Sequence, residues 1–87
     1  MIVKSIEDVR THIDRIDERL VALIAQRGEY VEAAAAFKTD SDAVRAPDRV
    51  QKVIDKVRQQ AREHHLPEEI IEKVYRAMIG AFIDYEL

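Results

Sequence analysis

The stretch that decides the fold is residues 6–38, IEDVRTHIDRIDERLVALIAQRGEYVEAAAAFK. Its apolar residues recur every three or four positions, at Ile6, Val9, Ile13, Ile16, Leu20, Leu23, Tyr30, Ala34 and Phe37. This spacing is typical of an α-helix that packs along its whole length against another helix. Ser5 is suited to cap the start of that helix, with Asp8 three residues later. The pattern therefore predicts one long helix from about Ile6 to about Lys38.

The rest of the chain predicts two shorter helices. TDSDAVRAP, residues 39–47, reads as a polar loop, and Pro47 suits the first position of a second helix. The apolar stripe of that helix consists of Val50, Val53, Ile54, Val57 and Ala61. Pro67 opens a third helix with a wide apolar face, formed by Ile70, Ile71, Val74, Tyr75, Met78, Ile79, Phe82 and Ile83. We therefore predict an all-α fold in a single domain, residues 1–87, with one long N-terminal helix and two shorter ones.

The length of the first helix predicts self-association. A stripe this long cannot be buried by the rest of an 87-residue chain, so we expect it to pair with its copy in an intertwined homodimer.

Composition excludes several classes of function. The net charge is −3, whereas nucleic-acid binding requires an excess of Lys and Arg, so we expect no nucleic-acid partner. There is no cysteine, which excludes disulfides and thiolate metal sites. No apolar run approaches about 20 residues, and MIVKSIEDVR at the start lacks the apolar region of a signal peptide. We expect a cytoplasmic protein with no membrane partner.

An arginine interrupts the apolar stripe of the first helix at position 27. Lys38 follows 11 residues later, about 20° past three full turns of a continuous helix, so both cations would share one side. Arg10 lies about 260° around the helix from Arg27 and would enter the partner's pocket in an antiparallel dimer. Arg49, in the first turn of the second helix, could supply a fourth cation. The residues leave two interpretations of Arg27 open: a buried cation that binds an anionic ligand, or one that reaches solvent or pairs with a protein carboxylate.

Other catalytic chemistries have little support in the sequence. His64 and His65 with Glu68 could be drawn as a metal site, but adjacent helical residues point about 100° apart and no third ligand has suitable spacing. The serines and threonines show no His/Asp arrangement for nucleophilic catalysis. We therefore predict neither a metal nor a cofactor.

Three stretches resemble the all-helical chorismate mutase family, and together they cover nearly the whole chain. They are VRTHIDRIDERLVALIAQRGEYVEAAAAFK (9–38), APDRV (46–50) and EHHLPEEIIEKVYRAMIGAFIDYE (63–86). The stretches YVEAAAAFK and APDRV look most similar to a branch that includes isochorismate-pyruvate lyase. The resemblance implies a homodimer with two active sites, each binding a dicarboxylate substrate, and a closing loop at TDSDAVRAP.

The resemblance also implies roles for the four cations. Arg10 would reach one carboxylate from the partner chain, and Arg27 would bind the other from the same chain. Lys38 would bind a carboxylate and the ether oxygen. Arg49 would contact the region of the ring-side carboxylate.

Three positions depart from the pattern of a typical mutase. Val50 stands where the mutases have a carboxylate that contacts the substrate hydroxyl, and Phe82 stands where they often have a serine. Glu86 stands where most members have a glutamine that donates to the ether oxygen. An ionised Glu86 would repel the developing negative charge, so it could help only when protonated, a state that burial favours.

The sequence therefore leaves three hypotheses. The leading one is chorismate mutase, an isomerase that makes prephenate. The second is isochorismate-pyruvate lyase, with the same fold and cations. The third is a non-catalytic helical dimer that packs on a partner, in which a protein carboxylate would neutralise Arg27.

Overall fold

The computed structural model consists of helices and their connections, and it describes residues 1–38 and 40–87, apart from the side chain of Ser41. Its helices, in chain order, are α1 (Ile6–Ala35), α2 (Ser41–Arg45), α3 (Pro47–Glu63) and α4 (Glu68–Glu86). The predicted all-α class, with one long helix followed by two shorter ones, is confirmed. Helix α2 was not predicted, and its five residues lie inside the segment predicted as a loop. Thr39, the first residue of that predicted loop, lies outside the described residues.

Contacts divide the chain into two compact units, Met1–Val31 and Glu32–Leu87. The first unit contains most of α1, and the second contains the end of α1 and the three later helices. The assignment of residues 1–87 to one domain stays a prediction. Within the described ranges, no helix is both long enough and apolar enough to cross a membrane.

The start of α1 follows the sequence prediction. The Ser5 hydroxyl accepts a hydrogen bond from the Asp8 backbone N–H at 3.0 Å. The Asp8 carboxylate in turn accepts one from the backbone N–H of Lys4 at 3.1 Å. The two side chains thus satisfy N–H groups that have no partner inside the helix. Asp8 also places a negative charge in the first turn, where the helix dipole favours it.

The end of α1 differs from the prediction, because the helix stops at Ala35 instead of Lys38. The next three N–H groups, of Ala36, Phe37 and Lys38, bond to the carbonyl oxygens three residues earlier at 3.3, 3.0 and 3.0 Å. Such bonds tighten the chain into a 3₁₀-like turn with a different angle per residue. The predicted common side of Arg27 and Lys38 assumed an unbroken α-helix, and that premise was wrong.

A left-handed residue separates α2 from α3. Asp40 caps α2 by accepting a hydrogen bond from the Ala43 N–H at 2.8 Å. Ala46 then adopts φ 40° and ψ 62°, ending α2 and preceding α3. Pro47 follows at the first helical position, as predicted, where its missing N–H has no structural cost.

A four-residue turn joins α3 to α4. His65 has a φ of 58°, and its N–H donates to the Arg62 carbonyl at 3.2 Å. The Leu66 N–H donates to the Ala61 carbonyl at 2.9 Å. This pair of bonds is a Schellman motif, which ends a helix by satisfying its last carbonyls. Pro67 then caps α4, with Glu68 and Glu69 in the first turn, as predicted.

The core of the second unit lies on α3. Ile54 is 1% exposed, and Val57 and Ala61 are also buried. All three belong to the apolar stripe that the sequence predicts for this helix. The α3/α4 hairpin therefore buries the face that its periodicity defines.

Candidate functional site

A line of polar side chains fixes how α3 runs against α4. Arg62 donates to the Glu68 carboxylate at 2.7 Å, and Arg58 donates to Glu68 and to Glu72. Further along, Nη2 of Arg76 lies 3.5 Å from the side-chain oxygen of Gln51. From one contact to the next, the residue on α3 lies nearer the start of its helix, and the residue on α4 lies nearer the end of its helix. The two helices are therefore antiparallel.

We call this line the polar ladder. It consists of Gln51, Asp55, Arg58 and Arg62 on α3 and of Glu68, Glu72 and Arg76 on α4. The i, i+4 pairs Gln51–Asp55 and Glu72–Arg76 can be read from the sequence by helical spacing. The contacts between the helices require the register of the hairpin, which the periodicity of a single helix does not supply.

Within the ladder, Glu72 binds two arginines. The hydrogen bond from Arg76 is the largest cause that lowers the pKa of Glu72, and the hydrogen bond from Arg58 and both positive charges add to it. Partial burial of Glu72 opposes this effect without cancelling it. Burial likewise acts to lower the pKa of Arg58, but Glu72 and Glu68 outweigh it, so this pKa is raised. The ladder thus holds these groups in their charged forms.

The antiparallel register brings four of the predicted site residues to one end of the hairpin. Arg49 and Val50 lie in the first turn of α3, just before Gln51, and Phe82 and Glu86 lie in the last turns of α4, beyond Arg76. Helix α2 also contacts α4. The Gln51–Arg76 contact places the start of α3 beside the second half of α4. This end of the hairpin is therefore opposite the turn that contains His65. We call it the open end of the hairpin.

The four side chains at the open end differ in exposure. Arg49 is exposed, whereas Val50, Phe82 and Glu86 are half-buried. One carboxylate oxygen of Glu86, Oε1, is enclosed and has no hydrogen-bond partner among the described residues. A carboxylate oxygen in such a place needs a donor, or a proton of its own, to offset its lost hydration. At this end, Glu86 therefore has an enclosed oxygen whose lost hydration no hydrogen bond from the described residues replaces.

The remaining three predicted residues lie elsewhere in the chain. Lys38 belongs to the second unit and is half-buried, in the turn after α1. Arg10 and Arg27 belong to the first unit, where both lie on α1; Arg10 is exposed and Arg27 is half-buried. Since α1 is continuous between them, the predicted separation of about 260° around its axis holds.

A shallow cavity lies toward the turn end of the hairpin. It measures about 210 Å³ and is lined by Val57, Gln60, Ala61, His64, Leu66, Ile71 and Tyr75. Its volume is below the range of about 300–1,000 Å³ that is usual for ligand pockets, and none of the predicted site residues lines it. Among residues 1–38 and 40–87, no group of His, Asp and Glu side chains is arranged to hold a metal ion.

Comparison with known protein families identifies the class to which this chain belongs. The chain belongs to the chorismate mutase type II family, whose sequence profile matches residues 9–87. The matched range contains all seven predicted site residues, from Arg10 to Glu86.

Three characterised relatives carry related names. The isochorismate pyruvate lyase of Pseudomonas aeruginosa is 34% identical over 76 residues, covering 87% of this chain and 75% of the relative. The chorismate mutase of Methanocaldococcus jannaschii is 27% identical, covering 88% of this chain and 79% of the relative. A bifunctional chorismate mutase/prephenate dehydratase of Aquifex aeolicus is 24% identical, covering 97% of this chain but 24% of that protein.

Proposed function

We propose that this chain is a chorismate mutase, which rearranges chorismate to prephenate. The observation that carries this proposal is the family match over residues 9–87. The matched range contains Arg10, Arg27, Lys38 and Arg49, the four cations to which the sequence resemblance assigns substrate binding. The site residues, their roles and the cytoplasmic location remain predictions from the sequence.

The chemistry suits these residue types. The rearrangement is pericyclic, so it needs no nucleophile, no metal and no obligatory proton transfer. The enzyme must hold a flexible dianion in its reactive conformer and stabilise the negative charge that grows on the breaking ether oxygen. Arginines that bind the two carboxylates perform the first task. Lys38, which we assign to a carboxylate and the ether oxygen, contributes to both.

We assign Glu86 to the ether oxygen as a protonated carboxylic acid. In that form it donates a hydrogen bond to the developing charge, as the glutamine of other family members would. Support comes from the enclosed Oε1 of Glu86, which has no hydrogen-bond partner in the described part of the chain. A protonated carboxyl group that donates a hydrogen bond to a substrate oxygen would offset the cost of that enclosure.

We further propose a homodimer in which Arg10 enters the partner's site. The support is the apolar stripe of α1, on which Ile13, Leu20 and Leu23 are 48, 50 and 60% exposed in the single chain. An apolar surface of this length is unfavourable in water and is typical of a helix–helix interface. Arg27 interrupts this apolar stripe, so the dimer interface and the proposed site would share one face of α1.

Isochorismate-pyruvate lyase is the second candidate. It is favoured by the apolar residues Val50 and Phe82 at the open end, and by the 34% identity to a relative of that name. The same cations would bind isochorismate, whose ether bond breaks as a ring hydrogen moves to the enolpyruvyl group. The products, salicylate and pyruvate, account for every atom of the substrate, so no water or co-reactant is needed.

Product analysis with each substrate tests these proposals. The purified protein is incubated separately with chorismate and with isochorismate, and prephenate, salicylate and pyruvate are identified against enzyme-free blanks. We expect prephenate from chorismate, with a higher kcat/KM than any reaction of isochorismate. Salicylate and pyruvate from isochorismate, without prephenate from chorismate, would assign the lyase instead. Absence of turnover of both substrates would favour the third hypothesis, a non-catalytic helical dimer.

A further inference from the structure

The polar ladder ends next to the proposed substrate-binding residues. Gln51, which directly follows Arg49 and Val50, donates to Asp55 at 2.9 Å and lies 3.5 Å from Nη2 of Arg76. Arg76 in turn donates through Nε to Glu72 at 2.7 Å. The ladder thus links the first turn of α3 to the part of α4 that leads to Phe82 and Glu86.

The ladder is a weak source of stability. The arginines and glutamates of its ion pairs are partly or largely exposed, from 27% for Glu72 to 58% for Arg62. Exposed ion pairs typically contribute little to stability, because water and salt screen their charges. Most of the stability of the hairpin therefore comes from its buried apolar face. That contribution is non-directional, however, and apolar contact alone tolerates small shifts of one helix against the other. Hydrogen bonds between fixed partners do not tolerate such shifts.

The two ends of the hairpin differ in how they are restrained. At the turn end, the chain joins the two helices covalently through Pro67. The hydrogen bond from the Leu66 N–H to the Ala61 carbonyl adds a restraint within the backbone. At the open end no turn joins α3 directly to α4, although α2, which precedes α3, also contacts α4. There, the Gln51–Arg76 contact lies closer to Arg49 and Phe82 than the contacts of Arg58 and Arg62 do. Its length of 3.5 Å is at the limit of a hydrogen bond, and the hydrogen bond from Arg76 Nε to Glu72 at 2.7 Å orients the same guanidinium.

We propose that Arg76 is a positioning residue of the active site. Held by Glu72, it ties Gln51 to α4 and so sets the distance between Arg49 and Val50 on α3 and Phe82 and Glu86 on α4. Arg76 touches no reacting atom in this assignment; it acts through the two helices that carry the site. The kinetic part of this inference rests on the proposed function.

A kinetic comparison tests the role of Arg76. Arg76→Met removes the link at the open end, and Arg62→Met removes a similarly exposed arginine from the turn end as a matched control. We expect Arg76→Met to lower kcat about tenfold, because displacement of substrate-holding groups by a fraction of an ångström slows reaction steeply. Arg62→Met should leave kcat unchanged. Arg76→Lys keeps the charge for Glu72 but loses the planar fork, so it should recover only part of the lost kcat.

A double-variant cycle separates positioning from a general loss of stability. If Arg76 acts through Gln51, then Gln51→Met should lower kcat to a similar extent, and the double variant should be no slower than either single one. Multiplied effects in the double variant, or equal losses in Arg76→Met and Arg62→Met, would overturn the proposal.

A distance measurement tests the same point without any substrate. The chain has no cysteine, so spin labels can be attached to cysteines introduced at Asp48 and Asp84, in the first turn of α3 and the last turn of α4. Labelled chains are diluted into unlabelled ones, so that the distances measured lie within one chain. We expect Arg76→Met to broaden the distance distribution and Arg62→Met to leave it unchanged. An unchanged distribution in Arg76→Met would refute the positioning role even if the enzyme is active. A broadened one with an inert wild type would refute only the proposed function.

Discussion

Helix α1 and the α3/α4 hairpin have apolar stripes of the same period, but the stripes differ in burial. On α3, Ile54, Val57 and Ala61 are buried within the second unit. None of the residues described on α1 is buried, and the side chains of Leu20 and Leu23 are half or more exposed. The four-residue turn thus allows the hairpin to bury the apolar stripe of α3, whereas the apolar stripe of α1 stays exposed.

This difference indicates where each part of the proposed enzyme obtains its stability. The hairpin can hold Arg49 and Glu86 through local contacts, the Schellman turn and the polar ladder. The cations of α1, Arg10 and Arg27, lie on a helix whose apolar residues are exposed in the single chain. We infer that assembly of two chains completes α1, while the open end of the hairpin is organised within one chain.

The largest effect is expected from a single substitution on α1. Arg27→Ala should lower kcat/KM by about 10²–10³-fold, because it removes a charged donor that holds the substrate in its reactive geometry. Steady-state kinetics measure the loss, and circular dichroism checks that the helical content is unchanged. Arg19→Ala, an exposed arginine on the same helix, is the control and should keep full activity. Substantial turnover by Arg27→Ala would assign Arg27 to an interaction within the protein.

Mixing two inactive variants tests whether α1 serves the partner chain. Arg10→Ala and Arg27→Ala homodimers should each be nearly inactive. If Arg10 acts in the partner's site, a mixed dimer has one site with both arginines and one with neither. After unfolding and refolding together in equal amounts, about a quarter of wild-type activity should return, since half of the dimers are mixed and half of their sites are intact.

The control for this experiment mixes Arg27→Ala with Lys38→Ala. Both residues are assigned to the same chain's site, so no mixed dimer contains a complete one and activity should not return. Absence of recovery with Arg10→Ala as well would place Arg10 outside the partner's site.

Truncation of one apolar residue in each region tests the comparison through stability. Ile54→Ala should lower the free energy of unfolding by about 2–5 kcal/mol, because it leaves a cavity in the hairpin core. Leu20→Ala should cost about 2 kcal/mol or more if a second copy covers α1. Urea unfolding at one fixed protein concentration measures both, since dimer stability depends on concentration. A loss within about 0.5 kcal/mol for Leu20→Ala, as for an ordinary surface residue, would mean that the stripe is exposed in solution.

Much of the fold could be predicted because its signals are local. Ser5, Pro47 and Pro67 mark helix starts through their own backbone and side-chain chemistry, and all three predictions are confirmed. The end of α1 could not be predicted, because residues 33–36 are four consecutive alanines, and alanine has the highest helix propensity and so favours continuation of the helix. The turn of α2 was missed for a similar reason, since Asp40 reads equally well as a loop residue and as a cap.

The candidate site could be predicted less completely. Residue types and the family resemblance select Arg27, Lys38 and Glu86, and these assignments stay predictions. The periodicity of one helix cannot give the register between two helices, so the ladder and the open end were not predicted.

A pH profile tests the role of the open end of the hairpin. If Glu86 acts in its protonated form, kcat should fall as pH rises, because an ionised carboxylate cannot donate a hydrogen bond. Glu86→Gln donates the same hydrogen bond at every pH, so it should flatten the profile. Glu69→Gln, at an exposed carboxylate in the first turn of α4, should leave the wild-type profile unchanged. Identical profiles for the wild type and Glu86→Gln would exclude Glu86 from the reaction.

The smallest effect concerns the ladder, through the stability of the hairpin in acid. The pKa of Glu72 is lowered from its ordinary value of 4.5 by Arg76 and Arg58. A carboxylate whose pKa is lower in the folded state adds stability above that ordinary value and loses it as pH falls through the folded value. Stability should therefore decline below pH 4.5, and Glu72→Gln should reduce the slope of that decline, whereas Glu69→Gln should not. Urea midpoints at several pH values measure the slopes. Equal slopes for the wild type and Glu72→Gln would mean that water screens the charges of the ladder, and that α3 and α4 are held together by Ile54 and its neighbours alone.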